Sequence, residues 1–197
     1  MKRIIDISLS VLALVLLSPF FLIISLLIIC TSKGSFIYAQ TRVGKNNHDF
    51  TLLKFRTMQT NADKNGLLTI GARDSRITLI GAFLRKYKID EFPQLLNIII
   101  GDMHIVGPRP EVRKYVDLYT DEQKQILTVC PGLTDYASLE YIDESEILEK
   151  SNDPEKTYID VIMPHKIELN LQYIQNQSTK EDLKIITRTL KKIISRR

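Results

Sequence analysis

IDEFPQLLNIIIGDMHIVGPRPE, residues 89–111, sets two adjacent carboxylates at a helix start and a proline-flanked arginine a short way downstream. Asp90 is suited to cap the helix and Pro93 to sit in its first turn, where a missing N–H costs nothing. Leu95, Leu96 and Ile99 then recur at helical spacing. A helix N-terminus favours anions, so it suits an ionised Asp90 and a bound phosphate alike, the two species that a carboxylate nucleophile attacking a phosphoryl group brings together. Asp and Glu are also ordinary cap and first-turn residues, so local physics leaves a purely structural reading open. Gly101-Asp102 ends the helix, and His104 to Val106 follows as a short strand.

Phosphate chemistry needs fixed positive charge. Lys54-Phe55-Arg56 and Arg85 precede the acidic pair, and Arg109 follows inside Gly107-Pro108-Arg109-Pro110, where prolines on both sides restrict the backbone that presents its guanidinium. Each cation alone would pass as a surface residue; their combination points to an anion site.

Toward the N-terminus, no charged residue occurs from Ile7 to Ser32. About 26 helical residues reach roughly 39 Å, more than the ~30 Å of a bilayer core, so the segment reads as membrane-embedded. Ser18-Pro19 lies near its middle, where proline predicts a kink or break. Lys2 and Arg3 precede the run while Lys33, Arg42 and Lys45 follow it, so charge assigns no orientation. A helix that bends at Pro19 and returns, and a single kinked spanning helix, both fit. The run is too long for a signal-peptide core and has no small-x-small cleavage site. Cys30 reads as a buried hydrophobe, and Cys130 lies far off beside Pro131, which excludes a disulfide framework and suits a reducing cytoplasm. His48, His104 and His165 show no metal-ligand spacing.

The net charge of +4 is unevenly placed. Residues 1–60 hold seven basic against two acidic residues, residues 61–179 hold 13 against 19, and residues 180–197 hold seven against two. In that tail Leu183, Ile186, Leu190 and Ile193 recur at helical steps, with Lys184, Arg188, Lys191 and Lys192 on other faces, a pattern suited to anionic lipid. A helix packed on the core with a solvated basic face fits the same pattern. Beside so apolar an N-terminal segment, lipid is favoured over nucleic acid as the partner.

The remaining pattern predicts a mainly α chain with minor β. Phe36 to Ala39 and Phe50 to Phe55 read as strands of a hairpin around Gly44-Lys45-Asn46-Asn47, residues 61–75 as loop, and Ile77 to Lys86 as a helix. Val112 to Val129 reads as one helix ended by Pro131-Gly132, residues 140–155 as an acidic exposed loop, Glu155 to Met163 as a helix interrupted by Pro164, and Lys166 to Asn176 as its resumption.

LRKYKIDEFPQLLNIIIGDMHIVGPRPE, preceded by RVG, by FTLLKFRTM and by an N-terminal KRIIDISLS with Ser18-Pro19 beyond it, resembles the bacterial sugar transferase family of small monotopic phosphoglycosyl transferases over nearly the whole chain. The resemblance implies transfer of a phosphosugar from a UDP-sugar to polyprenyl phosphate with release of UMP, on the cytoplasmic face of a bacterial inner membrane, at the start of glycan assembly. It implies Asp90 as the nucleophile of a ping-pong reaction, with Glu91 completing the dyad as a ligand of Mg²⁺ or as proton acceptor, and Mg²⁺ held by Asp90 and Glu91. Arg85 and Arg109 match phosphate-binding positions, Lys54 matches a lysine near the dyad, and Arg56 follows in the same motif. Ser18 and Pro19 match a helix break, which implies a re-entrant membrane helix over 1–34, a small cytoplasmic catalytic domain over 35–179 and a basic amphipathic helix over 180–197 belonging to that domain. A homo-oligomer is compatible with this arrangement. After Pro131-Gly132-Leu133-Thr134 the sequence Asp135-Tyr136-Ala137-Ser138-Leu139-Glu140 departs from the Gly-rich stretch of many members, so the sugar is left open. Two other readings stay open: a membrane-bound Mg²⁺-dependent hydrolase of nucleotide sugars, and a monotopic scaffold whose carboxylates only cap a helix.

Overall fold

A computed structural model describes residues 2–71 and 74–195, the side chains of 64 and 65 excepted. The expected membrane segment, the loop over 61–75 and the basic tail are therefore seen without residues 1, 72, 73, 196 and 197. The charge-free run forms α1, Lys2–Thr31, a helix long and apolar enough to cross a membrane. It continues through Pro19 instead of dividing there. Proline cannot donate to the Val15 carbonyl one turn back, and the Ser18 hydroxyl donates to that carbonyl instead at 2.8 Å.

Polar clamps fasten both ends of α1 to the rest of the chain. At its start Lys2 donates to the Val106 carbonyl at 3.0 Å and pairs with Asp182 at 2.9 Å, while Asp6 meets His104 Nδ1 at 2.5 Å. Arg3 donates to the Ile98 and Ile99 carbonyls. At its far end the Arg56 guanidinium donates to the Ser32 carbonyl at 2.8 Å and to that of Lys33. Between the clamps Ala13, Leu14, Phe21, Ile24 and Ile28 pack on the core, whereas Leu12, Val15, Leu16, Leu22, Ile23 and Leu26 are exposed. Cys30, expected to be buried, is exposed among them, because the buried stripe passes through Ile28.

The hairpin forms as expected but its first strand is longer: β1, Ile37–Val43, runs antiparallel to β2, Asp49–Phe55, with Ile37 opposite Phe55 and Val43 opposite Asp49. Asn46 and Asn47 turn the chain at positive φ, which Asn tolerates better than most residues. Next comes α2, Leu79–Lys86, capped by the Thr78 hydroxyl, which accepts from the Gly81 N–H at 2.9 Å. A Cβ at Gly81 would lie 2.0 Å from the Thr57 carbonyl oxygen, so glycine is what lets this helix, with Arg85 on it, approach the end of the hairpin.

The decisive stretch departs from expectation at its start. Ile89–Glu91 forms a 3₁₀ turn entered through Lys88 at φ +57°, and α3, Gln94–Ile100, begins only after Pro93. Asp90 therefore caps no helix. Within α3 the buried Asn97 accepts from the Leu53 N–H at 3.0 Å and donates to the Thr51 carbonyl at 2.7 Å, which satisfies the open edge of β2. Leu52, Leu95, Ile98 and Met103 form the core between them, and each fully buried side chain of this size contributes about 1.5–3 kcal/mol.

A second pairing escaped the sequence reading. β3, His104–Val106, lies parallel to β4, Gly132–Thr134. A Cβ on Gly132 would fall 2.1 Å from the Gly107 nitrogen, so two glycines meet where the Pro108-Arg109-Pro110 loop leaves the sheet.

The helical second half is more divided than its periodicity suggests. Over 112–129 only α4, Arg113–Val116, is α-helical, and Gln123–Thr128 is a 3₁₀ turn. Thr120 and Gln123 exchange side-chain-to-backbone hydrogen bonds at 3.0 and 3.2 Å, a capping box that restarts the chain inside the expected helix. The expected acidic loop over 140–155 follows directly on α5, Tyr136–Glu140, and contains α6, Glu144–Glu149, anchored by buried Leu148 and by Glu144 pairing with Lys166 at 2.8 Å. Pro164 does not interrupt: α7, Pro154–Thr157, passes through a π turn, Tyr158–Ile162, into α8, Met163–Gln175, and the widened turn absorbs the missing N–H. The tail is α9, Thr179–Ile194, docked by buried Ile185, with Leu183 and Leu190 exposed.

Candidate active site

The Ile89–Glu91 turn, β2, α2 and the loop after β3 all line one cavity of about 1310 Å³, which exceeds the roughly 300–1,000 Å³ of ordinary small-molecule pockets. Asp90, Glu91, Lys54, Arg56, Arg85 and Arg109 all lie on its wall.

Glu91 is 8% exposed and is gripped by Arg109, Nη2 to Oε1 at 2.5 Å and Nη1 to Oε2 at 3.2 Å, a bidentate fork. Lys54 adds a second cation 3.6 Å from Oε1. Burial opposes ionisation of Glu91, but the charges of Arg109, Lys54 and Lys88 and the Arg109 hydrogen bond outweigh it and hold its carboxyl below the usual range. Burial acts the other way on the lysine, pushing Lys54 down to about 8 against the attraction of Glu91.

Asp90, its neighbour, is treated differently. It is 4% exposed and its Oδ1 is buried with no hydrogen-bond partner. Burial, and then the charge of Glu91, raise its pKa, with Lys54, Lys88 and Arg85 pulling against them. An unpaired buried carboxylate is costly, and such strain concentrates where a site awaits a ligand. Arg85 has the complementary deficiency: Nη2 donates to the Thr69 hydroxyl at 2.9 Å while Nη1 is buried without an acceptor. Arg56 is placed otherwise than Lys54, since its guanidinium holds Ser32 and Lys33 at the end of α1.

Among the described residues no three His, Cys, Asp or Glu side chains converge. Mg²⁺ needs no such cage, because it binds through one or two carboxylates together with substrate phosphates and water. The orphaned Asp90 oxygen, beside Glu91, fits that donor set.

Two contributors escaped the sequence reading. Lys88 enters the field of both carboxylates through its place next to the turn. Fully buried Asp135 accepts from the Arg109 backbone N–H at 2.9 Å and so fixes the loop; its only sequence signal is its place before α5, which it caps through the Ser138 N–H at 2.6 Å.

A family model described as bacterial sugar transferase matches residues 1–196. The UDP-N-acetylgalactosamine-undecaprenyl-phosphate N-acetylgalactosaminephosphotransferase of Aeromonas hydrophila is 36% identical over 197 residues, covering 98% of this chain and 44% of that protein. The exopolysaccharide production protein ExoY of Sinorhizobium fredii is 35% identical over 204 residues, 96% of this chain and 83% of its own length. A UDP-glucose:undecaprenyl-phosphate glucose-1-phosphate transferase of Caulobacter vibrioides is 33% identical over 198 residues, 98% of this chain and 70% of that one. The present chain thus spans less than half of the first relative and most of the other two. Matched along nearly its entire length, it belongs to the bacterial sugar transferase family.

Proposed function

We propose that the protein is a phosphoglycosyl transferase that moves a phosphosugar from a UDP-sugar to polyprenyl phosphate and releases UMP. The observation that carries this reading is the buried, unpartnered Oδ1 of Asp90 on the wall of a cation-lined cavity. In the first step the Asp90 oxygen bonds to the phosphorus that bears the sugar, and the bond from that phosphorus to the UMP oxygen breaks, its electron pair leaving with UMP. In the second step an oxygen of polyprenyl phosphate attacks the same phosphorus and returns the carboxylate to Asp90. Arg85, with a donor to spare, and Lys54 offset the negative charge of the diphosphate, and Arg109 keeps Glu91 ionised and fixed beside the nucleophile. Asp90 and Glu91 would hold Mg²⁺, which when bound supplies a Lewis acid that neutralises charge on the diphosphate.

The same reading makes the chain monotopic, with α1 dipping into one leaflet and both its ends on the cytoplasmic face of the inner membrane. Support comes from the clamps at Lys2, Arg3 and Asp6 and at Ser32 and Lys33, which tie both ends of α1 to one body, while a broad apolar face is left for lipid. A UDP-sugar panel assayed for UMP release tests the reaction. Release that requires polyprenyl phosphate for multiple turnover supports transfer, and free sugar phosphate formed without it would replace transfer by hydrolysis.

A further inference from the structure

Among the described residues, five side chains on the cavity wall carry a buried polar atom with no hydrogen-bond partner, and Arg56, Arg85 and Asp90 are three of them. The other two lie on a different part of the wall: Ser138 Oγ on α5 and Asn170 Oδ1 on α8, two helices that pack together. Asn170 is 3% exposed, and an amide oxygen so deep without a donor is unusual in a folded interior. Other polar side chains of the wall, and Asp135 next to Thr134, are engaged elsewhere. Thr134 pairs with Thr189 at 2.7 Å, Lys166 with Glu144 at 2.8 Å, and Asp135 with the backbone of Arg109 and Ser138.

Ser138 is also tied to the catalytic end. One Asp135 oxygen accepts from the Arg109 N–H at 2.9 Å and the other from the Ser138 N–H at 2.6 Å, so a single carboxylate bridges the two backbones. The loop that carries Arg109 to Glu91 is thereby joined to α5 through one side chain, and both border the same cavity. In a UDP-sugar the hexose is bonded directly to the attacked phosphate, whereas the uracil is separated from it by a second phosphate and the ribose.

We infer that Ser138 and Asn170 form the sugar subsite of this cavity and determine which hexose is accepted. This inference rests on the function proposed above. Asn170 Oδ1 accepts from a hydroxyl or amide N–H of the sugar, and the Ser138 hydroxyl bonds an oxygen on the same ring. Because Ser138 lies in the segment that follows Pro131-Gly132-Leu133-Thr134, the departure of that segment from the commoner pattern becomes a difference in sugar recognition.

The test uses the full chain in lipid nanodiscs, with kcat/KM measured for a panel of UDP-hexoses and UDP-N-acetylhexosamines and Kd for UDP alone. Asn170→Leu should lower kcat/KM for the preferred donor about tenfold, the worth of one good hydrogen bond, and should change the ratio between donors while UDP binds within about twofold of wild type. Asn170→Asp, which keeps an acceptor, should retain more of the original preference than Asn170→Leu. Should Asn170→Leu fail to fold, Ser138→Ala carries the same readouts. Equal weakening of UDP and UDP-sugars would mean that the pair reads the nucleoside and would overturn the inference, as would unchanged donor ratios in the variants. A wild-type protein inert toward the whole panel would sink the proposed function and the subsite with it, whereas an active wild type with unaltered variants sinks the subsite alone.

Discussion

Replacing Arg109 by Met should destabilise the protein chiefly by stranding Glu91. The guanidinium meets that carboxylate at 2.5 and 3.2 Å, and Glu91 is 8% exposed. With charge centres roughly 4 Å apart and an effective dielectric near 20, the attraction is about 4 kcal/mol. Removing one partner of a buried pair costs about 3–5 kcal/mol, because the other charge is left without compensation. Lys54, 3.6 Å from Glu91, softens the loss, and Arg109 is one of the charges that hold Lys54 down, so its removal strengthens the remaining pair. The expected loss is therefore near the lower end, about 3 kcal/mol. Adding Glu91→Gln to the Arg109→Met chain removes the stranded charge and should recover most of it. Urea unfolding of wild type, both single variants and the double variant in one detergent gives the coupling, expected to be about 2 kcal/mol or more. The pH dependence carries the same sign. Glu91 is held below its unfolded value, so its contribution is present above the ordinary glutamate pKa of about 4.3 and is lost as pH falls below it, and Arg109→Met should flatten that acid limb. A double variant whose loss equals the sum of the singles within about 0.5 kcal/mol would refute the reasoning.

Asp90→Asn should abolish transfer and at the same time raise stability at neutral pH, because burial and Glu91 raise the Asp90 pKa and the ionised form is therefore disfavoured in the folded state above the ordinary aspartate value. Urea midpoints below wild type would contradict this. The alkaline limb of kcat/KM should fall near pH 8 as Lys54 loses its proton, and Lys54→Arg should move that limb upward; an unmoved limb would assign it to another group. Single cysteines at residues 2 and 35 in sealed vesicles should be labelled from the same side by a membrane-impermeant maleimide, and opposite sides would establish a spanning α1.

What the sequence revealed follows the range over which each signal acts. The hairpin, α2 and the charge-free helix are written in local composition, and their boundaries shift by only a few residues. Arg85, Arg109, Lys54 and the acidic pair were legible as one candidate set because carboxylates and cations gathered around a single motif suit an anion site, and the fold does bring them to one cavity wall. Several features were not legible. Asp135 and Arg109 are joined by a parallel strand pair, β3 with β4, whose partners lie far apart in sequence and carry no pairing signal. Arg56 resembles Lys54 in sequence, but β2 ends at Phe55 between them, and beyond that end Arg56 reaches Ser32 and Lys33, so that only Lys54 meets the dyad. The capping box at Thr120 and Gln123 and the π turn before Pro164 divide or rescue helices whose apolar periodicity alone reads otherwise.

The central claim is that Asp90 takes the phosphosugar covalently before any lipid acceptor is present. Intact-mass analysis of wild type, rapidly quenched after mixing with a UDP-sugar that supports turnover and with Mg²⁺, should show a shift equal to one phosphosugar, mapped by peptide sequencing to Asp90 and absent in Asp90→Asn. UMP release with polyprenyl phosphate but no adduct at any quench time would mean direct transfer within a ternary complex, and would contradict the account.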